Sequence, residues 1–418
     1  MFCTNCGKRN PEGARFCYAC SQTLYAPEAA GVSPPGPGRA PRGRNPGVLR
    51  SIGDSLSSLA STEELEGFSL KMFFSEIFKK RSREELDEYF VVGTSRTTPP
   101  LAEVPTAWPR PWFFLRVLAF LAALYAAFYV SFEQFGNIRL IPGLIMMGSL
   151  AVPLATVILV FELNVLRNVS FNRVLMLVAS GGVVSLFVSL AGFSLSKLNW
   201  MGASSAGIVE EIGKLLGVII VARSFKTKYI LNGLLFGASV GAGFAFFESA
   251  GYAFDFLLRS KSPVVMFDVI QTRAFLTPFG HVAWTAIAAA ALWRVKGDQP
   301  FQPNLLLDWS FLKTFSIPVG LHMVWDGPWI TPFDLHLVAL GLIGWFIVFG
   351  LVQQGLHQIR REQSALPLAH PLPMAMAKIP LRDEAKDDPN SSYRCGMTAP
   401  SLPLASSWPR ALSHLRQR

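Results

Sequence analysis

The stretch GIVEEIGKLLGVIIV, residues 207–221, decides how this chain is read. It is apolar enough to sit in a membrane, yet Glu210, Glu211 and Lys214 lie in its middle. An ionisable side chain near a bilayer centre costs roughly 2.5–3.5 kcal/mol on insertion scales. Three of them in one apolar segment must face a protein interior or a wet cavity rather than lipid.

The rest of the chain supplies such an interior. Of 418 residues, 51% are hydrophobic and 16% are charged, where soluble domains carry about 25% charged residues. Residues 1–112 and 358–418 are polar and rich in Pro, Arg and Ser, and the stretch between them is apolar with short polar breaks. This is the profile of an all-α polytopic membrane protein with soluble ends. Eight transmembrane helices are expected, at 113–133, 139–161, 172–194, 204–222, 229–257, 264–293, 310–327 and 335–356. The fourth and seventh are the least apolar or the shortest, so seven is the alternative count. Together they make a transmembrane domain over 113–357.

The net charge of +10 invites a nucleic-acid reading. Much of the excess lies in the termini and short loops, where cations serve topology and anionic headgroups. The bilayer is therefore the expected partner, and no nucleic acid is. The chain opens MFCTNCGKRN, without a cationic secretory segment, so no cleaved signal peptide is expected.

Cys3, Cys6, Cys17 and Cys20 form the pattern C-x2-C-x10-C-x2-C. Two facing knuckles of this kind suit tetrahedral zinc held by four thiolates. Two disulfides are the competing reading, which paired knuckles in a short unit without a signal peptide disfavour. A structural zinc ribbon over 1–25 is expected, in a reducing compartment. A Pro/Gly-rich linker at 26–61 follows. Residues 62–112 then form an amphipathic helical juxtamembrane region, lying on the membrane surface or against the bundle. It ends in Trp108 and Trp112, placed like interfacial anchors. The tail at 358–418 is expected to be disordered.

Loop charge sets the orientation. With the ribbon inside, the inner loops and the start of the tail carry Arg167, Arg173, Arg223, Lys226, Lys228, Arg294, Lys296, Lys313, Arg360 and Arg361. The outer loops carry Arg139, Lys197, Arg259, Lys261 and Arg273. The excess of inner cations puts both termini in the cytoplasm, in agreement with the cysteine argument.

Polar residues recur at helical spacing on four successive spans: Glu210 with Lys214, Phe244 with Glu248, His281 with Thr285, and His322 with Asp326. One buried charge can be a packing oddity; four spans in a row read as one convergent site. Glu210, Glu211, Glu248 and Asp326 offer four negative charges against the single positive charge of Lys214. In a low-dielectric pocket, either some carboxyls are protonated, or His281 and His322 are cationic, or a divalent metal sits there. A water held among such groups is an activated nucleophile in each case. Gly233, Gly237 and Gly241, spaced by four, are the mark of a helix that lets a neighbour approach closely.

E-E-x-x-K at 210–214, F-x-x-x-E at 244–248, His281 followed by Thr285, and H-x-x-W-D at 322–326 resemble the motif series of the PrsW family of intramembrane proteases. That family is distantly similar to the CAAX prenyl endopeptidases. The resemblance covers residues 110–357. It implies regulated proteolysis of membrane-embedded or juxtamembrane substrates in a bacterial-type cytoplasmic membrane, with an anti-sigma factor as the namesake's substrate. By position it implies that Glu210 and Glu211 activate water and that Lys214 orients or neutralises them. Glu248, His281, His322 and Asp326 complete the water and oxyanion site. The mechanism is left open between glutamate and metal. Asn232–Gly233 stands where Asp-Gly is expected and Ser249 where Asn is expected, and both bear on hydrogen bonding near Glu248. Two other classes compete. A proton-coupled transporter also uses intramembrane carboxylates, but shows internal repeats that are not evident here. A non-catalytic sensor with the ribbon as docking module needs fewer spans than these.

Overall fold

Backbone amides in an apolar stretch have no water to bond, so each stretch satisfies them internally as helix. The computed structural model describes residues 55–366 except 64, 66, 83, 84, 86–88 and 329–333. Among these residues the regular structure is helical and there is no strand. The four ribbon cysteines and the tail beyond Leu366 lie outside the described residues.

Nine helices carry the argument: α1 (Phe113–Phe135), α2 (Ile141–Leu163), α3 (Phe171–Leu195), α4 (Ser205–Ala222), α5 (Ile230–Ser260), α6 (Pro263–Leu276), α7 (His281–Lys296), α8 (Trp309–Trp325) and α9 (Leu335–Ser364). Among the described residues six helical stretches are long and apolar enough to cross a membrane: α1, α2 (counted from Ile138), α3, α5, α6–α7 taken as one, and α9. The other two expected spans are helices as well, 18 residues for α4 and 17 for α8. They are the two flagged in the sequence as least apolar or shortest.

The span expected at 264–293 is not one regular helix. It breaks between α6 and α7, with a 3-10 turn at Thr277–Phe279 and a non-helical Gly280. Pro278 lacks an amide hydrogen to donate to the preceding turn, and Gly280 tolerates the departure. The break starts α7 at His281. It also places Arg273 inside α6, not in an outer loop.

Helix α5 is the centre of the bundle, packed against α2, α3, α4, α6, α7 and α9. Its glycine stripe serves α7. A Cβ at Gly233, Gly237 or Gly241 would collide with the backbone carbonyls of Ala289, Thr285 and His281 respectively. Across the contact α7 offers an alanine run, Ala286 and Ala288–Ala291, all buried. On the opposite side Gly243 of α5 meets Gly182 and Val178 of α3 just as closely. Asn232 is buried at the start of α5, bonded to Asn168 at 2.7 Å. Sixteen positions separate it from Glu248, about 24 Å along a helix. The Asn-Gly departure therefore has no bearing on Glu248.

The juxtamembrane region folds onto the bundle. Between Ser69 and Arg81 its only α-helix is the turn Leu70–Phe73. Its aromatic residues are anchored one by one: Phe68 packs on Trp108 and Phe349, and Phe73 on Phe349. Contacts made singly do not require a helical period. Trp108 and Trp112 are buried, and the guanidinium groups of Arg81 and Arg116 both lie over the Trp112 ring. These tryptophans are part of the protein's packing, not anchors displayed at the bilayer surface. Residues 55–60 are helical, and the segment they begin docks on the helix ends. Thr314 bonds to the Ala60 carbonyl, Arg294 to that of Ser61, and His357 pairs with Glu63.

The α5–α7 contact yields a test. Gly237→Leu should destabilise the bundle by about 1–3 kcal/mol, as overpacking does, and should lower the thermal midpoint of the detergent-solubilised protein. Gly251→Leu, whose Cβ would meet nothing within 4 Å, should leave the midpoint near that of the wild type.

Candidate active site

Residues adjacent in a helix point about 100° apart, so Glu210 and Glu211 part company on α4. Glu211 is fully buried. Its Oε1 accepts from Lys214 Nζ at 2.7 Å and lies 2.9 Å from His322 Nδ1. Glu210 turns instead toward a cavity of about 400 Å³ between α3, α4 and α5. Its Oε2 is 3.3 Å from Lys214 Nζ and 3.8 Å from His322 Nε2, and it accepts no hydrogen bond.

Lys214 is also fully buried. Besides the two glutamates it reaches His281 Nδ1 at 2.7 Å and lies over the Phe244 ring at 4.4 Å. An ammonium only donates, so His281 Nδ1 accepts and the imidazole proton sits on Nε2. There it donates to Glu248 Oε2 at 3.0 Å. Glu248 in turn receives Arg273 Nη2 at 2.5 Å. Ser249 accepts from Arg273 Nε at 2.9 Å, and the guanidinium stacks on Tyr252. The serine that stands where asparagine is expected thus steadies Glu248 through Arg273.

His322 faces carboxylates on both sides: Glu211 at Nδ1, and Asp326 Oδ2 at 3.1 Å from Nε2. Trp284 packs against its ring at 4.6 Å. Every sequence-predicted membrane residue therefore joins one network: Glu210, Glu211, Lys214, Glu248, His281, His322 and Asp326. Thr285 does not; it is buried against Gly241 of α5.

Arg273 was not among the residues singled out in the sequence. An arginine within the apolar stretch 264–293 is itself the signal of an intramembrane site, and assigning it to a loop hid that signal. It brings a second positive charge to the cluster. Two cations against four carboxylates still leave a deficit, and it is local. His322 Nε2 faces Asp326 and Glu210, and neither carboxylate supplies a donor. The arrangement calls for positive charge at that point, as a proton on His322 or as a metal ion.

Glu210, His281 and His322 each present a ligand atom within 4.8 Å of the others. Two imidazoles and a carboxylate are a catalytic zinc ligand set, and Glu210, ion-paired with Lys214 at 3.3 Å, is the carboxylate. The residues fit a divalent metal, with one condition. The His281 lone pair is held by Lys214, which must release it for His281 to ligate.

A polar network of this kind, buried in a bundle of apolar helices, has the groups to activate water inside the membrane. A family model described as PrsW family intramembrane metalloprotease matches residues 138–352, and the chain belongs to that family. The match encloses every helix that contributes to the network. A zinc-ribbon domain matches residues 2–24, which contain the four cysteines. No curated protein and no solved structure matches the chain. The protein is thus an integral, multi-pass membrane peptidase whose substrates are membrane proteins.

Arg273 gives the test of the network. Arg273→Leu leaves Glu248 with His281 alone, and cleavage should fall about 10–100-fold, as for other groups that orient a catalytic residue. Arg273→Lys keeps the charge without the fork and should retain an intermediate rate.

Proposed function

We propose that the chain hydrolyses peptide bonds in or beside transmembrane segments, using water activated by Glu210. The observation that carries this reading is the placement of the Glu210 side chain, which borders the cavity and is 11% exposed, whereas that of Glu211 is sealed off. Of the two adjacent glutamates it alone can meet a substrate. Glu211 holds Lys214 and His322 in place. In the reaction Glu210 takes a proton from water as the water oxygen attacks the carbonyl carbon. His322, whose Nε2 lies 3.8 Å from Glu210, stabilises the oxyanion once Asp326 yields that nitrogen. Glu210 then passes its proton to the departing amine as the C–N bond breaks. Lys214 keeps His281 neutral and fixes its tautomer. Glu248 and Arg273 hold that ring from the other side, and Asp326 orients His322.

In the metal-assisted alternative Glu210, His281 and His322 would hold a divalent ion, which would supply Lewis acidity toward the water and the carbonyl in place of Glu210 acting as a free base. The zinc ribbon is proposed to hold a separate, structural zinc on Cys3, Cys6, Cys17 and Cys20. We place both termini in the cytoplasm on the strength of loop charge. A single-pass regulator, such as an anti-sigma factor, is proposed as substrate on the resemblance alone, with the ribbon recruiting it or its regulator. Regulated proteolysis is the corresponding role.

The experiment compares membrane proteomes of cells expressing wild type, Glu210→Gln and Glu211→Gln at equal level. Glu210→Gln should abolish the shortened products and let their precursors accumulate. Glu211→Gln should lose activity through displacement of His322 and Lys214. Identical fragment patterns in wild type and Glu210→Gln would refute the proteolytic role of this site. Metal content gives an independent readout. His322→Ala should lose a divalent ion that Cys3→Ser with Cys6→Ser retains. Equal metal content in wild type and His322→Ala would leave the glutamate mechanism alone.

A further inference from the structure

The cavity in front of Glu210 is built in a way that catalysis alone does not require. Helices α3 and α5 meet at Gly182 and Gly243, where a side chain on either would strike the other's backbone. Past that crossing the cavity lies between them. Its walls are Leu186, Leu190 and Phe193 from α3 with Phe247 and Tyr252 from α5, and Glu210 and Glu248 also border it. Gly251, exposed, lines it, and a Cβ there would meet nothing within 4 Å, so the space beside that helix is left open. The Ser189 hydroxyl is turned away from it, against Gly213 of α4.

A membrane segment must leave its helix before a peptide bond can be attacked, and this frees backbone amides and carbonyls. In an apolar setting each freed group needs a partner. The carboxylates that border the pocket, Glu210, Glu248 and Asp255, are acceptors for freed amides. The volume, about 400 Å³, lies within the usual range of ligand pockets. It accommodates a large side chain but not a helix.

Resting on the proteolytic reading above, we propose that this cavity is the specificity pocket. It takes one large apolar side chain, Leu, Phe or Met, flanking the scissile bond of an unwound membrane segment. Gly251 with Leu190 sets the pocket's size.

The test uses the full chain in membranes. Cut sites are mapped by sequencing the new N-termini that wild type produces and Glu210→Gln does not. They should share a large apolar residue at one fixed position relative to the bond. Gly251→Phe, which fills the pocket, should shift that position toward Ala, Ser or Gly, changing relative cleavage rates by about 10–200-fold, the range for apolar pockets of altered size. Leu190 is 59% exposed, so Leu190→Ala should fold normally. It should shift the preference toward Phe and Trp, and it carries the test if Gly251→Phe fails to fold. A folded Gly251→Phe, or Leu190→Ala in its place, that cuts the same sites in the same ratios would overturn the pocket while leaving the protease intact. If wild type and Glu210→Gln yield the same N-termini, the proteolytic reading fails and the pocket fails with it.

Discussion

A lysine ammonium with no access to water must be surrounded by acceptors, and the rest of this structure follows from meeting that demand for Lys214. Its partners are Glu210 and Glu211 on its own helix and His281 on α7. Glu211 in turn brings in His322 of α8, and His281 brings in Glu248 of α5. Satisfying one buried charge thus fixes four helices relative to one another. Removing a partner from such a cluster costs about 3–5 kcal/mol, because a charge is left stranded. The same cluster then has little freedom to move when a substrate arrives, which is what a preorganised site needs.

Two features of the backbone bring these groups within reach. The glycine stripe of α5 against the alanines of α7 lets the two helices approach backbone to backbone, and Glu248 meets His281 across that contact. The break at Pro278–Gly280 ends α6 and begins α7 at His281. Arg273 on one side of the break and His281 on the other converge on the same Glu248 oxygen. Small residues and a helix break are often read as tolerated irregularities; here they set the distances in the network.

The adjacent glutamates show how one dipeptide can hold two roles. Glu211 spends its charge on Lys214 and His322 and is sealed off. Glu210 shares the Lys214 charge but borders a cavity. Their identities are the same and their sequence positions differ by one, so only the direction of each side chain separates them.

The sequence by itself determined the class of fold and most of the chemistry. Apolar runs long enough to span a bilayer leave helix as the way to satisfy their amides, and the cost of burying charge forces Glu210, Glu211, Lys214, Glu248, His281, His322 and Asp326 toward a common interior. The paired cysteine knuckles likewise declared the ribbon. What the sequence could not state was which groups touch. Helical spacing gives the face of a residue but not the neighbour it meets. Arg273 therefore read as a loop cation, Asn232 as a neighbour of Glu248, and Trp108 and Trp112 as membrane anchors. Tertiary packing decided those matters, along with the break before His281 and the separation of Glu210 from Glu211. The reason is physical: burial cost depends on one residue and its segment, whereas hydrogen-bond geometry depends on the distances between helices that are far apart in the chain.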